Sequence, residues 1–281
     1  MSTWRLTLIL ALLFPSITCA KLKDKQFDIN KYSESTFVLV GKDYGTNVGV
    51  IVSEKGLLLI DPMPGEKSFD DIHFLITGLS NIPIRYVVNT HNHEDHTGGN
   101  EYFKSKGATI LNPNNLMLKP GSENKKPLLS ENYGLETIKV ESHTGQDKMY
   151  FHAESNTLFA GDVFDNSWHP TFYAGGIDGF TKAIDIILSV GDTKTLIVPG
   201  HGVPANKEVV RAFYENTLVW LERISELHKE KMSVEQIMED KKTNEILQRF
   251  NTEKRKEFIP QNAFRRFIER TTSIVTSNQL H

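Results

Sequence analysis

Short apolar runs broken by polar, glycine-bearing breaks fill the first two-thirds of the chain. Thr36 to Val40, Asn47 to Val52 and Gly56 to Ile60 have the length and composition of strands separated by Gly-containing turns. Ser68 to Leu79 changes to a helical period. Ile84 to Val88 (IRYVV) is again β-rich, and a short helix over Gly99 to Lys106 and a strand over Ala108 to Leu111 follow. A second series of strands is predicted at Glu136 to Glu141, Lys148 to Ala153 and Thr157 to Ala160, with Glu154-Ser155-Asn156 as a hairpin turn. A helix over Asp178 to Ser189 and a strand over Lys194 to Val198 complete it. Residues 112 to 133, rich in Asn, Pro, Lys, Gly and Ser, read as a surface excursion.

From Asn206 the pattern is helical to about Ile268, with a break expected at Pro260. Val210, Tyr214, Leu218, Leu221, Ile224 and Leu227 recur every three or four residues, as a core-facing stripe requires. The mixed charges of Lys207, Glu208, Arg211, Glu215, Glu222 and Arg223 suit a solvated face. No internal period and no Gly/Ser-rich linker is evident. The pattern therefore predicts one domain of mixed strands and helices over residues 21–281, with a helical C-terminal part from about 205.

The first 20 residues stand apart. MSTWRLTLILALLFPSITCA carries one Arg, an apolar run from Leu6 to Phe14, then Pro15 and small residues ending at Ala20. This layout predicts a cleavable signal peptide and a periplasmic or secreted protein. The run is shorter than the roughly 20 apolar residues of a membrane span. Cleavage after Ala20 would remove Cys19, the only cysteine, so stability would come from the core and not from disulfides. With 24% charged and 39% hydrophobic residues the chain is globular. A net charge of -3 argues against a nucleic-acid binder.

Three of the ten histidines lie in NTHNHEDHTGGN, which follows the β-rich run IRYVV. In extended backbone His91, His93 and Asp95 would share one side while His96 points elsewhere, so one loop would serve two neighbouring points. Imidazoles and a carboxylate at this density suit a divalent first-row metal, zinc above all. One loop cannot fill a coordination shell. Three more candidates each follow an apolar β-rich run: His143 in ESHTG, Asp162 in FAGDVF and His201 in IVPGHG.

Taken together in this order, THNHEDHTGGN, SHTG, AGDVF and PGHG resemble the metallo-β-lactamase superfamily of metallohydrolases. The resemblance implies an α+β fold: an αββα sandwich of two mixed β-sheets packed face to face with helices outside. It implies two Zn2+ per chain, with His91, His93 and His143 on the first, Asp95, His96 and His201 on the second, and Asp162 bridging. Asp61, in GLLLIDP, resembles an aspartate that stays near the metals without binding them. The implied activity is hydrolysis of an ester, thioester, lactone or amide in a small molecule by a hydroxide shared between the metals. Asp95 would orient the nucleophile and move its proton.

Zinc β-lactamases commonly have Cys or Ser where this chain has Asp162, so the aspartate resembles the glyoxalase II and lactonase branches instead. The layout is most similar to secreted hydrolases associated with quinoprotein systems. Hydrolysis of β-lactams, and an oxidoreductase of the single-iron persulfide dioxygenase kind, are the alternatives. His169 is a candidate for the mouth of the site or for a loop cap. Trp168, Phe172 and Tyr173 are candidates for an apolar substrate wall or for a lid packed on the core. Tyr44 and Asn47 are candidates for a short hairpin that overhangs the metals, and His152 is placed on a solvent-exposed strand face. His73, His228 and His281 receive no role.

Overall fold

Alternation within the strands decides the layering. The computed structural model describes residues 27–42, 45–63, 69–80, 82–111 and 128–277. The expected signal peptide, Tyr44, His281 and residues 112–127 lie outside them. β1 (Phe27–Lys31), β2 (Thr36–Gly41), β3 (Val48–Ser53), β4 (Gly56–Ile60), β5 (Ile84–Val88) and β6 (Thr109–Ile110) form one sheet in that order. Its first four strands are antiparallel, whereas β4, β5 and β6 are parallel. The second sheet has the order β10-β9-β8-β7, from β7 (Leu135–Val140), β8 (Asp147–His152), β9 (Thr157–Gly161) and β10 (Leu196–Pro199). Only its β9–β10 pair is parallel.

Leu57 and Leu59 of β4 pack with Ile72 and Ile76 of α1 (Phe69–Leu79) and Phe103 of α3 (Asn100–Ser105). Their neighbours Leu58 and Ile60 point the other way and meet Tyr150, Phe159 and Val198 of the second sheet. On that sheet Leu158 and Ala160 face outward again, under α5 (Gly176–Ser189) and α6 (Lys207–Lys229). Each period-two step moves a side chain between an inter-sheet core and a helix-covered core. The result is the expected sandwich of two mixed sheets between helices.

Several expectations are corrected. Residues 128–133 are not loop but helix α4 (Leu128–Tyr133), whose Leu129 and Tyr133 are buried in the inter-sheet core. His152 is not solvent-exposed. It is 2% exposed, and its Nδ1 lies 3.2 Å from Thr36 Oγ1 and 2.7 Å from Ser155 Oγ, because its strand face is the one turned toward the first sheet. On α6 the buried stripe is Val210, Phe213, Thr217, Trp220, Ile224 and Leu227, while Leu218 is 41% exposed. Two successive four-residue steps from Val210 rotate about 80° off the buried face, so position 218 leaves the core.

The C-terminal part continues through α7 (Val234–Glu239), α8 (Lys241–Gln248) and α9 (Gln261–Ser277). The helical pattern thus runs past Ile268. Pro260 does not interrupt a helix but precedes one: its carbonyl accepts from Ala263 N and Phe264 N. Trp220 docks α9 on α6 by stacking on Phe267 at 4.2 Å and donating Nε1–H to Thr271 Oγ1 at 3.0 Å.

Candidate metal centre

The parallel strand pairs end at one rim, and the candidate side chains sit just beyond those ends. Asp61 follows β4, the histidine cluster follows β5, Asp162 follows β9 and His201 follows β10. His143 lies in the loop between β7 and β8. All seven sequence candidates come together in two groups. His91, His93, His143 and Asp162 form one; Asp95, His96, Asp162 and His201 form the other, with candidate ligand atoms within 4.8 Å of one another in each.

The extended geometry expected through Asp95 does not hold. Glu94–Thr97 forms a single helical turn, α2, with His93 in extended conformation at its N-cap. The turn rotates Asp95 away from His91 and His93 and into the group of His96. Backbone contacts fix it there: Thr46 Oγ1 donates to Asp95 O, and Asn89 Nδ2 donates to His96 O at 3.0 Å.

Asp162 stands between the groups with its side chain 9% exposed. Its Oδ1 is 3.1 Å from His96 Nε2 and 3.5 Å from His201 Nε2. Its Oδ2 is 3.5 Å from His143 Nε2 and 3.9 Å from His91 Nε2. One carboxylate oxygen therefore addresses each group. His91 Nε2, His96 Nε2 and Asp162 Oδ1 are buried without a hydrogen bond in suitable geometry. Buried polar atoms of this kind cost about 1–3 kcal/mol each when nothing satisfies them. Their concentration around two points, in an imidazole and carboxylate donor set, fits divalent metal.

A frame of neutral and acidic groups orients these side chains. Asp61, buried just after β4, accepts from Thr90 N at 2.8 Å and Thr90 Oγ1 at 2.6 Å, and lies 3.0 Å from His96 Nδ1. Thr171 Oγ1 lies 2.7 Å from His143 Nδ1. Asp147 accepts from Ser142 N and Thr144 N, shaping the loop that carries His143. Asn47 does not overhang the site. It is buried, and its Nδ2 donates to Pro199 O and Gly202 O at 2.9 and 2.8 Å, so it holds the His201 loop from behind.

Electrostatics separate the two groups. Burial, then the charge of His96, pushes His91 down to about 3. Burial also opposes charge on His201, but the Asp162 carboxylate and a hydrogen bond to Asp95 outweigh it and raise His201 to about 9. Burial would likewise lower His96, yet Asp162 and Asp61 hold it well above its usual value. The His201 hydrogen bond keeps Asp95 near 2, so its carboxylate is ionised at neutral pH. Metal binding would therefore compete with protons at His96 and His201.

The sequence reading missed Asp165. It is buried, accepts from Ser167 N at 2.8 Å and is pushed up to about 6 by burial. Nothing in its sequence context distinguishes it from an ordinary turn aspartate. Also missed was the far wall of the site. A cavity of about 1260 Å³ lies over Asp95, His143 and His201, and its opposite side is formed by Leu247, Phe258 and Phe264 of the C-terminal helical part. Trp168 lines it, whereas Phe172 is wholly buried against Phe180 and belongs to the core. His169 stacks on Phe267 at 4.0 Å, and burial lowers it to about 3.

Comparison with known proteins adds to this geometry. A family model described as the metallo-beta-lactamase superfamily matches residues 41–111. The chain is 27% identical to the metallo-beta-lactamase IND-1 of Chryseobacterium indologenes over 213 residues, 69% of this chain and 89% of that protein. It is 35% identical to a type 2 metallo-beta-lactamase of Elizabethkingia meningoseptica over 34% of this chain and 36% of that protein. A hydroxyacylglutathione hydrolase of Dictyostelium discoideum is 25% identical over 58% of this chain and 64% of its own. Among solved structures, a metallo-beta-lactamase from Pontibacter korlensis superposes with a TM-score of 0.54 at 18% identity, covering 68% of this chain and 98% of its own. That last likeness is one of fold.

Proposed function

The chain carries a metallo-beta-lactamase superfamily domain, and from that premise we propose that it is an exported dinuclear zinc hydrolase of small molecules. Its reaction is the cleavage of an ester, thioester, lactone or amide. The observation that carries this reading is the Asp162 carboxylate, with one oxygen toward each of two histidine-bearing groups. His91, His93 and His143 would hold one ion, and Asp95, His96 and His201 the other, with Asp162 shared. Two such groups argue for two ions and against a single-iron oxidoreductase. When bound, a zinc pair supplies Lewis-acid polarisation of the scissile carbonyl and acidifies water toward neutrality.

The chain's own groups do the rest. Asp95 is ionised, its side chain is 56% exposed, and it lines the cavity, so it accepts the proton of the attacking water and returns it to the leaving group. Asp61 and Thr171 keep His96 and His143 facing the ligand points. Phe258, Phe264 and Trp168 give the opposite side an apolar surface for the substrate. Export rests on the first 20 residues; no helix among the described residues is long and apolar enough to cross a membrane.

Hydrolysis of β-lactams is the second reading, favoured by the similarity to IND-1. Asp162, in place of the Cys or Ser common in zinc β-lactamases, stands against it as the native task. The test is a panel of esters, thioesters, lactones and β-lactams with zinc-loaded protein and its His93→Ala and Asp95→Ala variants. Both variants are expected to lose metal and turnover while keeping the far-ultraviolet circular dichroism of the parent. Undiminished turnover in both would contradict the proposal.

A further inference from the structure

We propose that the substrate carries an anionic group, a carboxylate, which Arg266 and Arg270 of α9 hold beside His93 and His143. The inference rests on the hydrolase reading and assigns its substrate class. A second cavity, of about 540 Å³, adjoins the candidate metal centre and shares His93 and His143 with it. Its other side is α9, with Arg266 and Arg270, and Trp168 and Tyr173 flank it. No aspartate or glutamate lines it. Arg266 also lines the larger cavity over Asp95 and His201, so the two spaces meet at this residue.

Arg266 and Arg270 are one helical turn apart and share a face. Like charges at this spacing repel, and the usual remedy is a nearby carboxylate. The neighbouring Arg265 has one, Glu235 Oε1 at 2.6 Å. Arg266 and Arg270 form no ion pair among the described residues. Arg270 instead lies 4.3 Å from the centre of the Tyr173 ring and also interacts with the Tyr173 hydroxyl, and its five N–H donors exceed what that one neighbour can use. Both guanidinium groups lie close enough to His169 and Tyr173 of the cavity wall for their charge to be felt there. An arginine pair with an aromatic wall suits the planar, two-oxygen geometry of a carboxylate joined to an apolar chain.

The experiment uses a matched pair of esters, mono-4-nitrophenyl glutarate and 4-nitrophenyl pentanoate, which differ in whether the acyl chain ends in a carboxylate or a methyl group. Zinc-loaded protein is expected to show at least a tenfold higher kcat/KM for the charged ester. The double variant Arg266→Gln/Arg270→Gln is expected to bring the two kcat/KM values within about threefold of each other, through a rise in KM for the charged ester. Equal rates for both esters in the parent, or an undiminished preference in the double variant, would overturn the inference. A second readout needs no turnover: calorimetric titration of metal-free protein with 4-phenylbutanoate and with 4-phenylbutanamide. The carboxylate should bind at least fivefold more tightly, and the double variant should abolish the difference. If neither ester is cleaved, only the ester part of the hydrolase reading fails and the binding comparison decides the subsite; equal binding of the two probes sinks the carboxylate subsite.

Discussion

Gly200→Ala is the sharpest probe of the shared aspartate. Gly200 follows β10 in PGHG, where a Cβ would stand 1.9 Å from Asp162 Oδ1 and 3.0 Å from Asp162 N and Gly161 C. Relieving the contact to an ordinary ~3.4 Å needs a shift of about 1.5 Å, against a tolerance of about 0.2 Å for a metal ligand. The backbone cannot retreat cheaply, because Gly200 N donates to Gly161 O at 2.9 Å and ties β10 to β9. The carboxylate cannot swing freely either, with His96 Nε2 at 3.1 Å on one oxygen and His143 Nε2 at 3.5 Å on the other. Overpacking of this kind costs about 1–3 kcal/mol, and each kcal/mol lowers Tm by about 2–4 °C in a chain of this size. The larger effect is on metal, since Asp162 belongs to both groups. Zinc per chain, measured by plasma emission after gel filtration, should fall from two to below one, with circular dichroism retained. Gly78→Ala is the control: nothing lies within 4 Å of its Cβ on helix α1, so it should leave zinc unchanged and stabilise by up to about 1 kcal/mol. Two tightly bound zinc ions in Gly200→Ala would refute the placement of Asp162 as the common ligand.

Two further outcomes are expected. Asp61→Asn removes the charge that faces His96 Nδ1 at 3.0 Å, so zinc affinity in chelator competition should weaken about 10–100-fold; unchanged affinity would show that Asp61 does not orient His96. His169, with an ordinary value of 6.5, is held near 3 in the folded protein by burial. The unfolded chain therefore binds this proton first, so the contribution is intact above about pH 6.5 and is lost as pH falls toward 3. His169→Phe should accordingly show a shallower fall of Tm between pH 7 and pH 4 than the parent, and parallel curves would remove His169 from the acid response.

The strands and the residues of the candidate centre were legible in the sequence because each rests on a local pattern, whereas the sandwich followed only from the resemblance of the four motifs to a known superfamily. Period-two and continuous apolar runs mark strands wherever they pack, and a dense run of histidines marks a loop that needs a partner cation. Which face of a strand looks at which layer is not local. His152 was assigned to solvent because alternation tells two faces apart without saying what covers them, and the first sheet covers that one. The one-turn helix at Glu94–Thr97 replaced the extended backbone expected through Asp95, since a single turn is too short to leave a period. Asp165, Asn47 and the C-terminal wall depend on contacts between residues far apart in the chain, held by the docking of α9 on α6 through Trp220, Phe267 and Thr271. The sequence by itself determined the donor atoms of the candidate centre. The division into two groups around Asp162 came from the resemblance of the motifs; only the tertiary structure decided the backbone that carries it out and what charge faces the groups, because both depend on where separate strand ends and a distant helix meet in space.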